Sequence, residues 1–267
     1  METAEFNNLV PEYEMYKTGF QTAGRECLKL WRRGQIAVMQ KESIHSIVTE
    51  ADLKSQGILV DWIKQLHPDA KIVSEEMENE EPGSDFWIFD PLDGTSHFER
   101  GLDGWSISGG RISNGEVVVG MTYAPVSGDF FFAEKGKGAY FNGQKMSVSA
   151  TEQLKDGIIN VGHRTVREDN EGKIKDLLNS TRSMFVTGST ALALANLAAG
   201  RLDVALHENQ SFWDIAAGSL MIREAGGQFT NRQGSQDFDM SGKKATQNCI
   251  IATNGLLHQA VSDRLAA

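Results

Sequence analysis

Two aspartates lie close together after a short apolar run in the first half of the chain. Residues 86–89 are apolar or aromatic, Asp90 follows them, and Asp93 comes after Pro91 and one leucine. An apolar run that stops at turn-forming residues is typical of a buried strand, and a residue before proline favours extended geometry. The turn that follows can direct both carboxylates and a backbone carbonyl at one point. Such a set of oxygen ligands suits Mg²⁺.

Each candidate acidic residue also has a purely structural explanation. Asp93 and Asp214 are both compatible with capping a helix. Asp52 suits the first turn of a helix, where the helix dipole favours a carboxylate, and with the threonine three positions before it resembles a capping box. Glu75 and Glu76 follow a short predicted strand, and because neighbouring strand residues point to opposite faces, at most one of them can join a shared site. The residue types alone therefore leave the metal-binding and structural interpretations open.

The composition is that of an acidic globular protein. The 267 residues are 40% hydrophobic and 23% charged, and 26 basic against 36 acidic residues give a net charge of −10. This balance argues against nucleic acid as a partner, and no apolar run reaches the roughly 18 residues of a membrane span. Cys27 and Cys249 are too few for a disulfide framework and lack zinc-site spacing. We therefore expect a cytoplasmic protein without a signal peptide or a membrane partner.

The apolar pattern changes near residue 150. Before it, the sequence predicts two helices and a largely antiparallel sheet, and after it an alternation of strands and helices. Helices are predicted at 12–33, 50–66, 168–178, 190–199, 213–225 and 256–265. Strands are predicted at 36–39, 71–74, 86–90, 106–111, 116–123, 129–134, 138–141, 157–162, 184–187, 202–206 and 249–253. We expect an α+β part, 1–150, and an α/β part, 151–267, in one compact unit, with apolar strand surface for a partner in 105–148.

Several motifs occur together in an order that resembles the inositol monophosphatase family. They are Asp90-Pro91-Leu92-Asp93-Gly94-Thr95, the upstream Glu75-Glu76 pair, the downstream Trp213-Asp214 and Glu224-Ala225-Gly226-Gly227, and segments 48–52 and 136–143. The resemblance covers about residues 15–255. It implies a layered αβαβα sandwich of the inositol monophosphatase and fructose-1,6-bisphosphatase type. It also implies Mg²⁺-dependent, lithium-sensitive hydrolysis of a phosphate monoester by a homodimer.

The resemblance further implies a set of metal ligands. Glu75, Asp90 and the carbonyl of Leu92 would hold one Mg²⁺. Asp90, Asp93 and Asp214 would hold a second, and some members add a third ion that involves Glu75. With such ions bound, the site becomes nearly neutral and can accept a phosphate dianion. The acidity of the chain is then compatible with an anionic substrate.

Other matching positions would take part in the reaction beside Glu75. Thr95, paired with Asp52, would position and deprotonate the attacking water. The backbone amides of Gly94 and Thr95 would receive the phosphate, and Lys41 falls where the family has a lysine near the metal site. Two ions about 3.5–4 Å apart can stabilise both the attacking and the leaving oxygen.

Substrate contacts are expected from the second half of the chain as well. Gly188, Ser189 and Thr190 open a predicted helix, whose N–H groups suit an anion or a hydroxyl group, although the glycine is equally compatible with a tight turn. His207 falls where inositol-preferring members have a glutamate, and Glu208 follows it. The other predicted substrate contacts are Asp93, Gly94, Thr95 and Asp214.

The sequence therefore favours hydrolysis of inositol monophosphate or a similar small polyol phosphate. Two departures from the family pattern, His207 and the pair Ser96-His97, keep other substrates open. These are histidinol phosphate, fructose bisphosphate and 3′(2′),5′-bisphosphate nucleotides. A catalytically idle regulatory or binding module on the same fold is an alternative of a different class. The complete acidic set argues against idleness, because a relic site is expected to lose at least one ligand.

Overall fold

The computed structural model describes residues 13–31, 38–40, 47–77, 81–167, 169, 171–238 and 249–266. The helices among them are α1 Tyr13–Leu30, α2 Glu50–Leu66, α3 Thr95–Glu99, α4 His163–Arg167, α5 Lys173–Asn179, α6 Thr190–Ala198, α7 Phe212–Glu224 and α8 His258–Ala266. The strands are β1 Val38–Gln40, β2 Ile47–Thr49, β3 Ile72–Ser74, β4 Asp85–Asp93, β5 Ser106–Ser113, β6 Glu116–Ala124, β7 Asp129–Glu134, β8 Gly138–Phe141, β9 Gln144–Met146, β10 Ile158–Val161, β11 Ser183–Phe185, β12 Val204–His207, β13 Gln228–Thr230 and β14 Ile250–Thr253.

Seven strands form a sheet in the order β3–β4–β5–β6–β7–β8–β9. Strands β3 and β4 are parallel, and the other neighbouring pairs are antiparallel. Alternation along β4 sends Phe86 and Ile88 into one core and Trp87 and Phe89 into another. Because all four side chains are buried, both faces of this sheet must be covered.

Pairs of helices cover the two faces. On one face α1 and α2 pack against the sheet, where Tyr16 contacts Trp87 and Phe20 contacts Phe89. On the other face α6 and α7 pack, and α7 comes very close to β6. A Cβ at Gly120 would lie 2.9 Å from the carbonyl oxygen of Ala217, so glycine allows this approach.

A second sheet has the strand order β11–β10–β12–β14–β13. Strand β10 is parallel to both neighbours, and β14 is antiparallel to both of its neighbours. One face shares a core with α6 and α7 through Ala205 and Ala252, and the other packs against α5 and α8 through Leu177 and Val261. The layers are therefore helices, sheet, helices, sheet, helices, and the predicted αβαβα sandwich is confirmed.

Some local predictions are wrong. The helix predicted at 168–178 is shorter in the structure, where α5 covers Lys173–Asn179, because Gly172, with a φ of 74°, is its N-cap. The helix α4, His163–Arg167, lies before the predicted range. Strand β4 continues to Asp93, with a register shift after Asp90. Glu75 and Glu76 lie in a turn after β3, so strand alternation does not apply to them.

The expected partner surface in 105–148 is not free. Its large apolar side chains, such as Ile107, Met121 and Phe131, are 0% exposed because helices cover both faces of the sheet. Both cysteines are buried and free. The described part of the chain contains no helix with the length and apolar character needed to cross a membrane. The cytoplasmic location and the division at residue 150 stay predictions.

Candidate active site

Three aspartates from distant parts of the chain meet at the end of β4. Asp90 and Asp93 belong to this strand, and Asp214 lies in the first turn of α7. Each contributes a carboxylate oxygen, and these oxygens all lie within 4.8 Å of one another. We call this group the aspartate cluster. The fold thus brings together three of the five predicted metal ligands.

An irregular strand end sets the positions of the two carboxylates of β4. The N–H of Leu92 donates to Oδ1 of Asp90 over 2.9 Å, within the stretch where the register shifts. Gly94 follows with a φ of 99°, and a Cβ there would lie 2.8 Å from the carbonyl oxygen of Gly104. Both constraints require glycine. Gly94 is the N-cap of α3, so the capping interpretation of Asp93 is wrong.

The carboxylate of Asp93 is held by the start of α6. Its Oδ2 accepts hydrogen bonds of 2.7 Å from the hydroxyl of Ser189 and from the N–H of Ala191. Ser189 is 0% exposed and lies 2.9 Å from Oγ of Ser106. The helix N-terminus that we expected to bind an anion therefore binds a carboxylate of the chain itself. This geometry makes Ser189 a positioning residue for Asp93 and does not support a direct substrate contact.

Asp214 combines the two interpretations that the sequence left open. Its Oδ2 accepts the N–H of Ser211 over 2.9 Å, in a capping box of which Ser211 is the N-cap. It also contributes an oxygen to the aspartate cluster. The helix start thus fixes the direction of a carboxylate that serves the site.

The aspartate cluster is poorly solvated and self-repelling. Burial raises the pKa of Asp93 to about 7, although its hydrogen bonds oppose the shift. Burial, and then the charges of neighbouring carboxylates, also raises the pKa of Asp90 and of Asp214 well above the ordinary value. A bound cation would relieve both effects. Because the donors are all carboxylate oxygens within one small volume, they fit Mg²⁺.

The remaining predicted ligands border the cluster. The charge of Glu75 contributes to the raised pKa of all three aspartates, and its N–H donates to the carbonyl of Phe89 over 3.2 Å. The carbonyl oxygen of Leu92 lies 3.3 Å from Oγ1 of Thr95. Glu75 is not one of the carboxylates grouped within 4.8 Å. Lys41 lies outside the described residues.

Thr95 and Asp52 form a pair beside the cluster, as the sequence comparison implied. The Thr95 hydroxyl donates to Oδ1 of Asp52 over 3.3 Å. Oδ2 of Asp52 accepts the N–H and the hydroxyl of Thr49, which confirms the predicted capping box of α2. Burial raises the pKa of Asp52 to about 7, and the charges of Glu76 and Glu75 add to this. A carboxyl group with such a pKa can take or release a proton near neutrality.

Gly188 is needed because of a close approach. A Cβ at Gly188 would lie 2.3 Å from the ring of His97, and one at Gly104 would lie 2.6 Å from it. The tight-turn interpretation is wrong, because Gly188 has no positive φ. His97 thus packs α3 closely against Gly188, which lies two residues before α6.

His207 and Glu208 have partners within the protein. His207 is 2% exposed, and its ring nitrogens lie 2.8 Å from Oδ1 of Asn160 and 3.1 Å from Oγ1 of Thr190. Thr190 is 7% exposed. The carboxylate of Glu208 forms an ion pair with Arg232. This arrangement does not support direct substrate binding by the His207 ring.

Sequence reasoning missed the residues that hold the site residues in place. Ser106 of β5 is the strand partner of Asp93. Ala191 of α6 donates its N–H to Asp93, and Asn160 of β10 contacts the ring of His207. Serine, asparagine and backbone amides carry no distinctive pattern of their own. The one readable signal was Ser211, three positions before Asp214, which is the spacing of a capping box.

Comparisons with known proteins agree with this geometry. The model of the inositol monophosphatase family matches residues 12–266. A Thermotoga maritima protein named fructose-1,6-bisphosphatase/inositol-1-monophosphatase is 38% identical over 227 residues, covering 84% of each chain. A Neisseria meningitidis protein named putative Nus factor SuhB is 32% identical, covering 89% of this chain and 92% of its own. The solved structure of a Thermotoga maritima IMPase superposes with a TM-score of 0.88 at 33% identity, covering 96% of this chain and 97% of its own. The chain therefore belongs to the inositol monophosphatase family, a class of phosphomonoesterases.

Proposed function

We propose that the protein hydrolyses inositol monophosphate, or a similar small polyol phosphate, in a Mg²⁺-dependent reaction. The observation that carries this proposal is the aspartate cluster, whose oxygens lie within 4.8 Å of one another in a chain of a phosphomonoesterase family. Two or three Mg²⁺ ions would be held by the cluster together with Glu75 and the carbonyl of Leu92.

The residues around the cluster have distinct roles in this reaction. When bound, Mg²⁺ supplies positive charge that offsets the carboxylates and the phosphate, and it increases the acidity of water. Oδ1 of Asp52 accepts the hydroxyl proton of Thr95, which leaves Oγ1 of Thr95 to accept a hydrogen bond from the attacking water. As the water attacks, its proton passes to Oγ1 of Thr95 and the threonine proton passes to Asp52. The N–H groups of Gly94 and Thr95 would orient the phosphate.

A second candidate substrate is fructose 1,6-bisphosphate. It is favoured by the Thermotoga maritima relative, whose name includes both activities and which is 38% identical to this chain. Both substrates are phosphate esters of polyhydroxylated cyclic alcohols. The same cluster would act on either of them, and the alcohol part of the ester would decide between them.

Phosphate release from a panel of esters tests the proposal. The panel holds inositol monophosphates, fructose 1,6-bisphosphate, histidinol phosphate and 3′-phosphoadenosine 5′-phosphate, each with Mg²⁺, with EDTA and with Mg²⁺ plus Li⁺. We expect Mg²⁺-stimulated release that is highest for inositol monophosphate and is lowered by Li⁺. Absence of Mg²⁺-stimulated release from every ester would instead favour the idle binding module.

We also propose that the protein is a homodimer. An exposed apolar run supports this, because Met184, Phe185 and Val186 are 47–54% exposed at the edge strand β11. Edge strands with apolar side chains readily pair with another chain. Light scattering after size exclusion should give twice the monomer mass, and Phe185→Glu should reduce it. A monomeric wild-type protein at micromolar concentration would contradict this proposal.

A further inference from the structure

Strand β5 places a serine opposite each aspartate of β4. In the register of this antiparallel pair, Ser106 lies opposite Asp93 and Ser108 lies opposite Asp90. Side chains that are directly opposite project from the same face of a sheet, with Cβ atoms about 4.5–5.5 Å apart. For Asp90 this is the face that α7 covers, because Ile88, two positions earlier, packs in the core that includes α7. Both serines are 0% exposed, so each carboxylate of β4 has a buried hydroxyl beside it.

The hydroxyl of Ser106 already supports its aspartate. Its Oγ lies 2.9 Å from Oγ of Ser189. The hydroxyl of Ser189 donates to Oδ2 of Asp93 over 2.7 Å and accepts the N–H of Leu192 over 2.9 Å. Because a hydroxyl carries a single proton, Ser106 is the donor in its contact with Ser189. A chain of hydrogen bonds from Ser106 through Ser189 therefore holds Asp93.

The hydroxyl of Ser108 has no such contact. Within the part of the chain that the structure describes, its Oγ is buried without a hydrogen-bond partner. The same is true of Oγ1 of Thr122, which is paired with Ser108 from β6 and is also 0% exposed. Buried hydroxyls are nearly always hydrogen-bonded, because an unpaired one keeps its full desolvation cost. Stability therefore does not explain a serine at position 108, since alanine would avoid that cost.

Asp90 is the neighbour of Ser108 that can use a hydroxyl donor. It belongs to the aspartate cluster, and its Oδ1 accepts the N–H of Leu92. A carboxylate has about four acceptor sites on its two oxygens, so it can bind a cation and still accept further hydrogen bonds. Carboxylates that bind metal ions are usually oriented by such hydrogen bonds. Rotation about χ1 of Ser108 can turn its hydroxyl toward Asp90 without movement of the backbone.

Building on the proposed function, we propose that Ser108 is a positioning residue for Asp90 in the Mg²⁺-bound protein. Its hydroxyl donates to the carboxylate of Asp90 and fixes the direction of the oxygen that binds the ion. The two serines of β5 then differ in when they act. Ser106 holds its aspartate, through Ser189, whether or not an ion is bound. Ser108 forms its hydrogen bond only with the ion in place.

Calorimetric titration with Mg²⁺ tests this role on two matched variants. Ser108→Ala and Thr122→Val each remove an unpartnered, buried hydroxyl from the same face of the sheet, but only Ser108 lies opposite Asp90. Ser108→Ala should raise the Kd for Mg²⁺ about tenfold, since loss of a group that orients a metal ligand costs about 10–100-fold. Thr122→Val should leave the Kd within about twofold of the wild type.

Three outcomes of this titration contradict a proposal. An unchanged Kd for Ser108→Ala would overturn the role of Ser108. An equal rise in both variants would also overturn it, because the effect would then come from packing of the sheet. A wild type that binds no Mg²⁺ would refute the proposed function itself, and the role of Ser108 with it.

Thermal melting in EDTA separates a hydrogen bond that forms with the ion from one that is already present. Ser108→Ala should melt at the wild-type temperature or above it, because no hydrogen bond is lost. Ser106→Ala should melt at a lower temperature, because it removes the donor to Ser189. At a fixed Mg²⁺ concentration above the wild-type Kd, the ion should raise the melting temperature less in Ser108→Ala than in the wild type. A Ser108→Ala variant that melts below the wild type in EDTA would overturn the proposal.

Phosphate release gives a third readout for Ser108. The Mg²⁺ concentration for half-maximal release should rise about tenfold in Ser108→Ala, in step with the Kd. At saturating Mg²⁺, kcat and the KM for the ester should return to within about twofold of the wild type, because a positioning residue for a metal ligand acts through metal binding. A kcat that stays low at saturating Mg²⁺ would overturn this role.

Discussion

The aspartate cluster and the turn formed by residues 207–211 differ in whether their ionisable groups are neutralised within the protein. In the cluster, one buried and two partly buried carboxylates lie within 4.8 Å of one another and their pKa values are raised. In the turn, burial keeps His207 neutral, and Glu208 is paired with Arg232. The cluster thus concentrates negative charge that a bound cation can offset, whereas residues 207–211 neutralise or pair their ionisable groups within the protein.

The largest effect should come from a carboxylate of the cluster. Asp93→Asn should lower Mg²⁺-stimulated phosphate release by about a thousandfold or more, because a lost anionic ligand removes several kcal/mol of transition-state stabilisation. The fold should persist, since an amide oxygen can still accept from Ser189 and Ala191. Circular dichroism and the phosphate assay measure both, with the exposed Asp103→Asn as control. Normal turnover of Asp93→Asn would show that the aspartate cluster is not needed for the reaction.

The two regions should also differ in how pH affects stability. Folding raises the pKa of Asp52 and Asp93 from 3.8 to about 7, so the folded state binds their protons more tightly. Between these values, the free energy of unfolding of the metal-free protein should fall as pH rises, by roughly 1 kcal/mol per pH unit for each group. His207, lowered from 6.5 to about 4, contributes the opposite slope.

Urea unfolding with EDTA and with Mg²⁺ measures this slope. We expect a net decrease of stability with pH in EDTA, because the carboxyl groups with strongly raised pKa values are poorly solvated, whereas the carboxyl groups with lowered pKa values belong to exposed ion pairs that contribute little. Saturating Mg²⁺ should flatten the curve, since it favours the ionised carboxylates of the cluster and stabilises the folded state by mass action. Stability that increases with pH in EDTA would mean that the cluster is solvated.

A smaller effect should follow from loss of a residue behind the cluster. Ser189→Ala removes one of the two hydrogen bonds to Oδ2 of Asp93. Loss of a group that orients a metal ligand usually lowers activity or metal affinity by about 10–100-fold. The Mg²⁺ concentration for half-maximal phosphate release measures it, with the exposed Ser96→Ala as control. An unchanged Mg²⁺ dependence would show that Ala191 alone holds Asp93.

The smallest effect should come from the charged residue of the turn. Glu208→Gln breaks a pair in which the Arg232 side chain is 42% exposed, and such pairs contribute about 0–1 kcal/mol to stability. We expect a KM within about twofold of the wild type and little change in urea unfolding. A tenfold rise in KM for a polyol phosphate would instead support the direct substrate contact that the sequence predicted for Glu208.

Much of the fold could be predicted because it depends on local patterns. The alternation of apolar residues along β4 and the spacing of Thr49 and Asp52 gave a buried strand and a capped helix, and both are present. The start of α5 could not be predicted, since it depends on the conformation of Gly172. The register shift after Asp90 likewise depends on the pairing partner β5.

The sequence by itself determined which chemical groups lie near one another at the end of β4, because the order from Asp90 to Thr95 places two carboxylates and a hydroxyl within a few residues. Only the tertiary structure decided how those groups are held. Ser189 binds Asp93 from 96 residues away, and His207, a predicted substrate contact, is buried between Asn160 and Thr190. Hydrogen bonds between distant elements depend on the packing of the layers, and no local sequence pattern encodes that packing.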